Sequence, residues 1–140
     1  MELWELLARE GIRDTVARYN SNGDTGRFAH VIDLFTSDAV MELTGATYTG
    51  LDQIITVFTG TQERVATGYV RHMTATHQID LIDETHATGR MYFQVLTPVG
   101  LDHWGRYVDE YRLDNGRWKF SRRKVTIDGQ MTNSTFPKSI

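Results

Sequence analysis

A change of periodicity near Gly68 constrains this chain more than any other feature. Before it, large apolar residues recur at helical spacing. After it, they fall in long segments rich in β-branched and aromatic residues. Over residues 2–19 the apolar positions are Leu3, Leu6, Leu7, Ile12, Val16 and Tyr19, with charged residues between them, which predicts an amphipathic helix. Gly11 reads as a kink or break in it. Asn20-Ser21-Asn22-Gly23 is turn chemistry, and Asp24 before Thr25 reads as the N-cap of a second helix. That helix carries Phe28, Val31, Ile32 and Phe35 on one face and ends at Thr36-Ser37-Asp38. Residues 39–43 begin a strand, and Tyr48-Thr49-Gly50 makes a short return strand. A third helix runs from Leu51 to about Phe58, with another turn or two over residues 61–67.

Beyond Gly68, strands are predicted over residues 69–82, 85–96, 103–113 and 117–127. Asp114-Asn115-Gly116 is a hairpin signal between the last two, because Asn-Gly tolerates the left-handed backbone such turns need. Asp83-Glu84-Thr85 supplies a turn between the first two, and Pro98-Val99-Gly100 closes a longer connection. Helices segregated before long neighbouring strands predict an α+β fold: helices packed on one face of a curved, mostly antiparallel sheet. Residues 1–128 form one domain and residues 129–140 a loosely held tail, from which Met131 and Phe136 can tuck back over a pocket.

At 140 residues the chain has room for one core and no second domain. It contains no cysteine, which excludes disulfides and thiolate metal sites. The formal charge of −3, with basic residues scattered, offers no field for a nucleic-acid backbone. The one dense basic run, Arg122-Arg123-Lys124, lies inside a strand, so its side chains divide between two faces. The acidic, amphipathic start does not read as a signal peptide, and no apolar run reaches the ~18 residues that cross a membrane. These features predict a soluble, cytoplasmic protein.

Several motifs together carry a resemblance. Arg27-Phe28-x-x-Val31-x-x-Leu34-Phe35 precedes Ser37-Asp38-Ala39-Val40. Tyr48-Thr49-Gly50 follows, then a histidine-bearing strand, Gly105-Arg106-Tyr107-x-Asp109, and a last strand that begins at Asn115-Gly116-Arg117-Trp118 and runs through Arg123. The chain resembles the SnoaL-like branch of the nuclear-transport-factor-2-like (NTF2-like) superfamily over almost its whole length. Within that branch it resembles scytalone dehydratase, bile-acid 7α-dehydratase and the lindane dehydrochlorinase. The resemblance implies a cone-shaped fold with one pocket at its open end. It also implies a histidine on the first long strand, here His72, facing an aspartate at the start of the second helix, here Asp24. Relatives of this kind need neither cofactor nor metal.

Histidine suits proton abstraction near neutral pH, and an aspartate on one ring nitrogen sets its tautomer. Read from local sequence alone, Asp24 is equally a plain helix cap and His72 a half-buried strand histidine. Tyr107 and Asp109 share a face with Gly105 and Tyr111, which the resemblance turns inward. Tyr107 is then either a hydrogen-bond donor to a substrate oxygen or a core aromatic. Asp109 is a second acid/base or the partner of Arg123 in a buried ion pair. Arg123 reaches the site, to hold a leaving anion or a carboxylate, only if a bulge shifts the strand; strict alternation from Trp118 turns Arg122 inward instead. Phe28, Phe35, Met41, Tyr48, Phe58, Met91 and Phe93, with Leu43, Leu51, Met73 and Val95, are the expected apolar wall. His77, five residues after His72, is expected on the outer face. His30, His86 and His103 are placed on a helix, a strand start and a loop, with no spacing that makes a metal triad.

These residues predict a cofactor-free lyase or isomerase for a small, largely apolar cyclic molecule, by dehydration, another elimination or a double-bond shift. A non-catalytic module binding a small hydrophobic ligand is the first alternative, and an epoxide hydrolase the second. The mixed face carrying Trp104, Arg106, Val108 and Glu110 resembles the surfaces through which such proteins associate, so a homo-dimer or homo-trimer is expected.

Overall fold

The computed structural model describes residues 1–62 and 68–136. Helix α1 (Leu3–Gly23) is followed by α2 (Phe28–Ile32), β1 (Phe35–Leu43), β2 (Ala46–Thr49) and α3 (Leu51–Gln62). Four long strands complete it: β3 (Arg71–Leu81), β4 (His86–Thr97), β5 (Gly100–Asp114) and β6 (Arg117–Gln130). They form one open six-stranded sheet in the order β2-β1-β6-β5-β4-β3. Only β1 and β6 run parallel; every other pairing is antiparallel. The fold is α+β, as the segregated pattern predicts. Of the extra turns expected over residues 61–67, α3 continues to Gln62 and the remainder lies outside the described residues. Among the described residues no helix is long and apolar enough to cross a membrane.

Helix α1 runs unbroken through Gly11, because glycine there serves packing and not a bend. A Cβ at Gly11 would lie 2.9 Å from Cδ1 of Trp118, so its absence lets the helix settle on β6. The helix also continues through the expected turn at residues 20–23. Its last carbonyls are taken up locally: Asp24 N–H donates to Asn20 O, the Asn22 amide to Arg18 O, and the Thr25 hydroxyl to Ser21 O. Asp24 therefore sits at the C-terminal end of α1. It is not the N-cap of α2, which begins at Phe28, and its carboxylate is free for other work.

The second helix is also shorter than its apolar spacing predicts. Phe120 N–H donates to Leu34 O, and Phe35 pairs with Phe120, so tertiary pairing draws residues 35–38 into β1. The Asp114-Asn115-Gly116 signal is borne out, with φ of 50° at Asn115 and 79° at Gly116. Pro98-Val99, by contrast, forms a tight connection, since Thr97 pairs directly with Gly100.

Bulges decide which side chains face inward. On β3, Ala75 pairs with Tyr92 and Gln78 with Arg90, which leaves one extra residue near Thr76, whose φ is +58°. On β6, Ser121 is the extra residue between the Glu110–Arg122 and Tyr111–Phe120 pairs. On β5, Asp102 is the extra residue between Leu96–Leu101 and Val95–His103. Ile12, Val16 and Tyr19 of α1, Phe35 of β1, Met91 of β4, Tyr107 and Tyr111 of β5, and Phe120 of β6 build the core on the inner face.

Candidate active site

At one end of the sheet the core opens into a cavity of about 1020 Å³. Its walls come from the C-terminal end of α1, α3, the ends of β1 and β6, the start of β3, and the inner face of β4 and β5. Most of that surface is apolar, supplied by Phe28, Met41, Leu43, Phe58, Phe93 and Ile127 among others. Polar side chains also line it, among them Asp24, His72, His103, Tyr107 and Asn20.

His72 and Asp24 are held together twice. Asp24 Oδ1 lies 2.6 Å from His72 Nδ1, and Oδ2 accepts the His72 backbone N–H at 2.8 Å. Because β3 is an edge strand, Asp24 takes a backbone donor that no neighbouring strand claims. A carboxylate only accepts, so in the neutral ring the proton sits on Nδ1 and the Nε2 lone pair is left for the cavity. The ring is only partly buried, with 22% of its side chain exposed, so solvent or a ligand reaches it.

A second imidazole faces the same space. His103 Nδ1 lies 2.8 Å from Asp102 Oδ1, and its ring meets that of His72 edge-on at 6.5 Å. The expectation that His103 sits in a loop is corrected: it belongs to β5 and is buried. The signal that could have found it is strict alternation back from Gly105 and Tyr107 along that strand. Tyr107 stacks on Phe93 at 4.5 Å, and its hydroxyl donates to Asn20 Oδ1 at 3.4 Å. Burial holds the Tyr107 phenol far above the ordinary tyrosine range, so it is a neutral donor.

The expected wall is divided by the structure. Phe28, Met41, Phe58 and Phe93 line the cavity. Phe35 and Met91 lie behind it in the core, Phe35 because it starts β1 and packs on Phe120 at 5.2 Å. Tyr48, on the edge strand β2, and Leu51 pack beside the core, and Val95 is fully inside it. Met73 points to the outer face and is exposed, as it must be beside an inward His72.

Asp109 and Arg123 do not reach the wall either. The Ser121 bulge turns Arg123 inward, as that reading requires, while Arg122 points outward to Glu42. Yet Arg123 is fully buried, with Nε and Nη2 each 2.8 Å from an Asp109 oxygen. Its guanidinium lies 4.3 Å from the Tyr19 ring centre, 3.8 Å from that of Tyr107 and 4.2 Å from that of Phe120. Together, the pair is a charged floor beneath the cavity tyrosines.

His77 also departs from expectation. The extra residue near Thr76 reverses the parity of β3, so His77 turns inward and its Nε2 lies 3.1 Å from the Tyr111 hydroxyl. That hydroxyl donates to Asp109 Oδ2. Burial lowers the His77 pKa; the Asp109 charge opposes this, and Arg123 adds to the lowering. His103 is lowered as well: burial outweighs the Asp102 hydrogen bond and charge, and the nearby His72 contributes. Both rings therefore resist protonation in the folded chain, while in the unfolded chain they charge near 6.5. Their contribution to stability is complete above about pH 6.5 and declines as pH falls through and below it. The urea unfolding midpoint should fall between about pH 7 and pH 5, and His77→Gln should flatten that slope. A slope that is unchanged in the variant would remove His77 from the account.

Residues 4–124 match the sequence profile of the SnoaL-like domain. The chain belongs to the SnoaL-like family. No significant sequence match to a curated protein was found. Several solved structures superpose closely. A Nostoc punctiforme protein of unknown function with a cystatin-like fold has a TM-score of 0.82 at 20% identity, covering 90% of this chain and 95% of its own. A provisionally assigned scytalone dehydratase from Novosphingobium aromaticivorans also scores 0.82 at 20% identity, over 94% of this chain and 91% of that one. The type 3 hexachlorocyclohexane dehydrochlorinase of Novosphingobium barchaimii scores 0.81 at 17% identity, over 99% and 100%. At these identities the likeness shows a shared fold alone.

Proposed function

We propose that this SnoaL-like protein is a cofactor-free lyase or isomerase acting on a small, largely apolar cyclic molecule. The observation that carries the reading is the 2.6 Å His72–Asp24 contact at the edge of a largely apolar cavity. His72 Nε2 removes a proton from a carbon next to an activating group. The C–H electrons then form a double bond as a leaving group departs, or move along a conjugated system and are reprotonated elsewhere. Asp24 stabilises the imidazolium that forms, and the low-dielectric wall strengthens that interaction. Tyr107 exchanges its long hydrogen bond to Asn20 for the substrate and donates to the oxygen on which charge develops. The names of two structural relatives, a dehydratase and a dehydrochlorinase, both describe eliminations and support this class. The cavity volume suits a polycyclic molecule of drug-like size.

The test is a panel of cyclic β-hydroxy ketones and unconjugated enones in D₂O, followed by mass spectrometry and NMR. Loss of water, a double-bond shift, or deuterium entering at the activated carbon is expected for part of the panel, and Asp24→Asn should slow it by at least about 10²-fold. Saturable binding without exchange at any carbon would reassign the pocket to holding a ligand unchanged. Epoxide hydrolysis gains no support from the geometry, since the Asp109 and Arg123 side chains that would activate water are committed to each other beneath the cavity wall.

A further inference from the structure

The carboxylate of Asp102 has no role in proton abstraction, yet it is fully buried and accepts five donors. Oδ1 takes His103 Nδ1 and the Ser134 hydroxyl. Oδ2 takes the Thr97 hydroxyl at 3.0 Å, and the Thr135 backbone N–H and hydroxyl at 2.9 Å each. The position depends on the β5 bulge: as the unpaired residue, Asp102 turns away from solvent alongside His103, where ordinary alternation would separate them. Burial alone would raise its pKa, but the donors from Ser134, Thr135 and His103 hold the carboxyl well below the usual range.

The segment it holds is the one that follows β6. Met131 N–H donates to Asp102 O, Ser134 N–H to Met131 O, and the Gln130 side chain to Phe136 O. These bonds fold residues 131–136 back over the sheet. Phe136 then lies 4.5 Å from the His103 ring and forms part of the cavity wall.

We propose that Asp102 is a positioning residue that couples pocket closure to the second imidazole: one carboxylate clamps the C-terminal segment, so that Phe136 closes the cavity, and fixes the tautomer of His103 beneath it. A ligand large enough to displace Phe136 must loosen the same carboxylate that orients His103. Ligand length and the His103 state are thereby linked. This holds whether or not His72 is a base.

The test uses the full chain, without ligand, in three forms: wild type, Asp102→Asn, and Ser134→Ala with Thr135→Val. An asparagine offers one acceptor oxygen and a donating NH₂ where the carboxylate accepts on both sides, so it cannot satisfy both sets of donors. In wild type, the backbone amide of residue 135 should be protected from hydrogen exchange, ¹⁵N shifts of histidine should show His103 protonated on Nδ1, and its ring protons should carry a ring-current shift from Phe136. In Asp102→Asn the NH₂ faces one of the two donor sets: turned to the tail it should speed exchange at residue 135 by at least about tenfold, and turned to the ring it should change the His103 tautomer signature. The Ser134/Thr135 variant should speed the same exchange and remove the ring-current shift, while His103 stays protonated on Nδ1. His72 signals should persist in both as a control for folding. The proposal is overturned if residue 135 exchanges freely in wild type, or if Asp102→Asn leaves both signals where they were. It is overturned equally if the Ser134/Thr135 variant, which alters only exposed or part-buried positions, leaves tail and ring shift unchanged; that arm decides the matter if Asp102→Asn does not fold.

Discussion

Replacing His72 with alanine should lower turnover of a true substrate by about 10²–10⁴-fold, with the fold intact. The magnitude is that of one positioned general base, and the geometry explains why so much rests on it. His72 is the imidazole whose Nδ1 is fixed by Asp24 while its ring remains partly open to the cavity. His103 does not stand in for it, because its ring is buried, with Phe136 packed against it. The fold should survive, since His72 is only partly buried and β3 keeps its pairing with β4 on both sides of it. Asp24→Asn should cost nearly as much, since the carboxamide has one acceptor for two donors and no charge to stabilise the imidazolium. The double variant should be little worse than either single one, because the two side chains act as a unit. Kinetics of the three variants on one substrate, with circular dichroism as the control, would check this. Turnover unchanged in His72→Ala removes the histidine from the mechanism; strictly multiplicative losses would mean that the two residues act separately.

How much of this was legible in advance varies with the physics. The strands, the Asn115-Gly116 hairpin and the α+β class could be read because period-2 patterning and turn chemistry are local properties. The pairing of His72 with Asp24 is readable only through family resemblance, and local turn chemistry puts Asp24 at the start of α2, whereas it in fact ends α1. Nothing local distinguishes a residue that starts α2 from one that ends α1 when Asn22 and Thr25 can satisfy α1's last carbonyls. Strand parity was the harder matter. A single extra residue reverses every later side chain, and bulges near Thr76, at Asp102 and at Ser121 are set by pairing with distant strands. That is why alternation alone puts His77 outside and separates Asp102 from His103, and why Arg123 turns inward only with a bulge. Whether an inward arginine then meets ligand or a partner depends on depth, which sequence spacing does not encode.

That depth sets the second large effect. Asp109→Asn should destabilise the folded protein by about 3–5 kcal/mol, the usual cost of leaving a buried charge without its partner. Arg123 has no exposed surface and cannot recover water, and Nη1 already has no hydrogen-bond partner among the described residues. Asp109 takes both Nε and Nη2. The rings of Tyr19, Tyr107 and Phe120 give the cation a second source of stabilisation, but of about 0.5–2 kcal/mol each at most, which does not replace a carboxylate. The remaining burial cost therefore falls on the fold. Arg123→Lys should also be poorly tolerated, because an ammonium cannot form the two-pronged contact or spread over three rings. The pair can, however, be removed together. Arg123→Met with Asp109→Leu takes away both charges at similar volume and should recover most of the loss, as exchanges of buried ion pairs for apolar residues often do. It leaves the Tyr111 hydroxyl with His77 alone, so a deficit of about 1 kcal/mol should remain. Urea unfolding of the single and double variants gives the coupling directly. A loss below about 1 kcal/mol in Asp109→Asn would mean that water or movement of the floor reaches Arg123. The cation would then have access to the cavity after all, and its place as a leaving-group clamp would reopen.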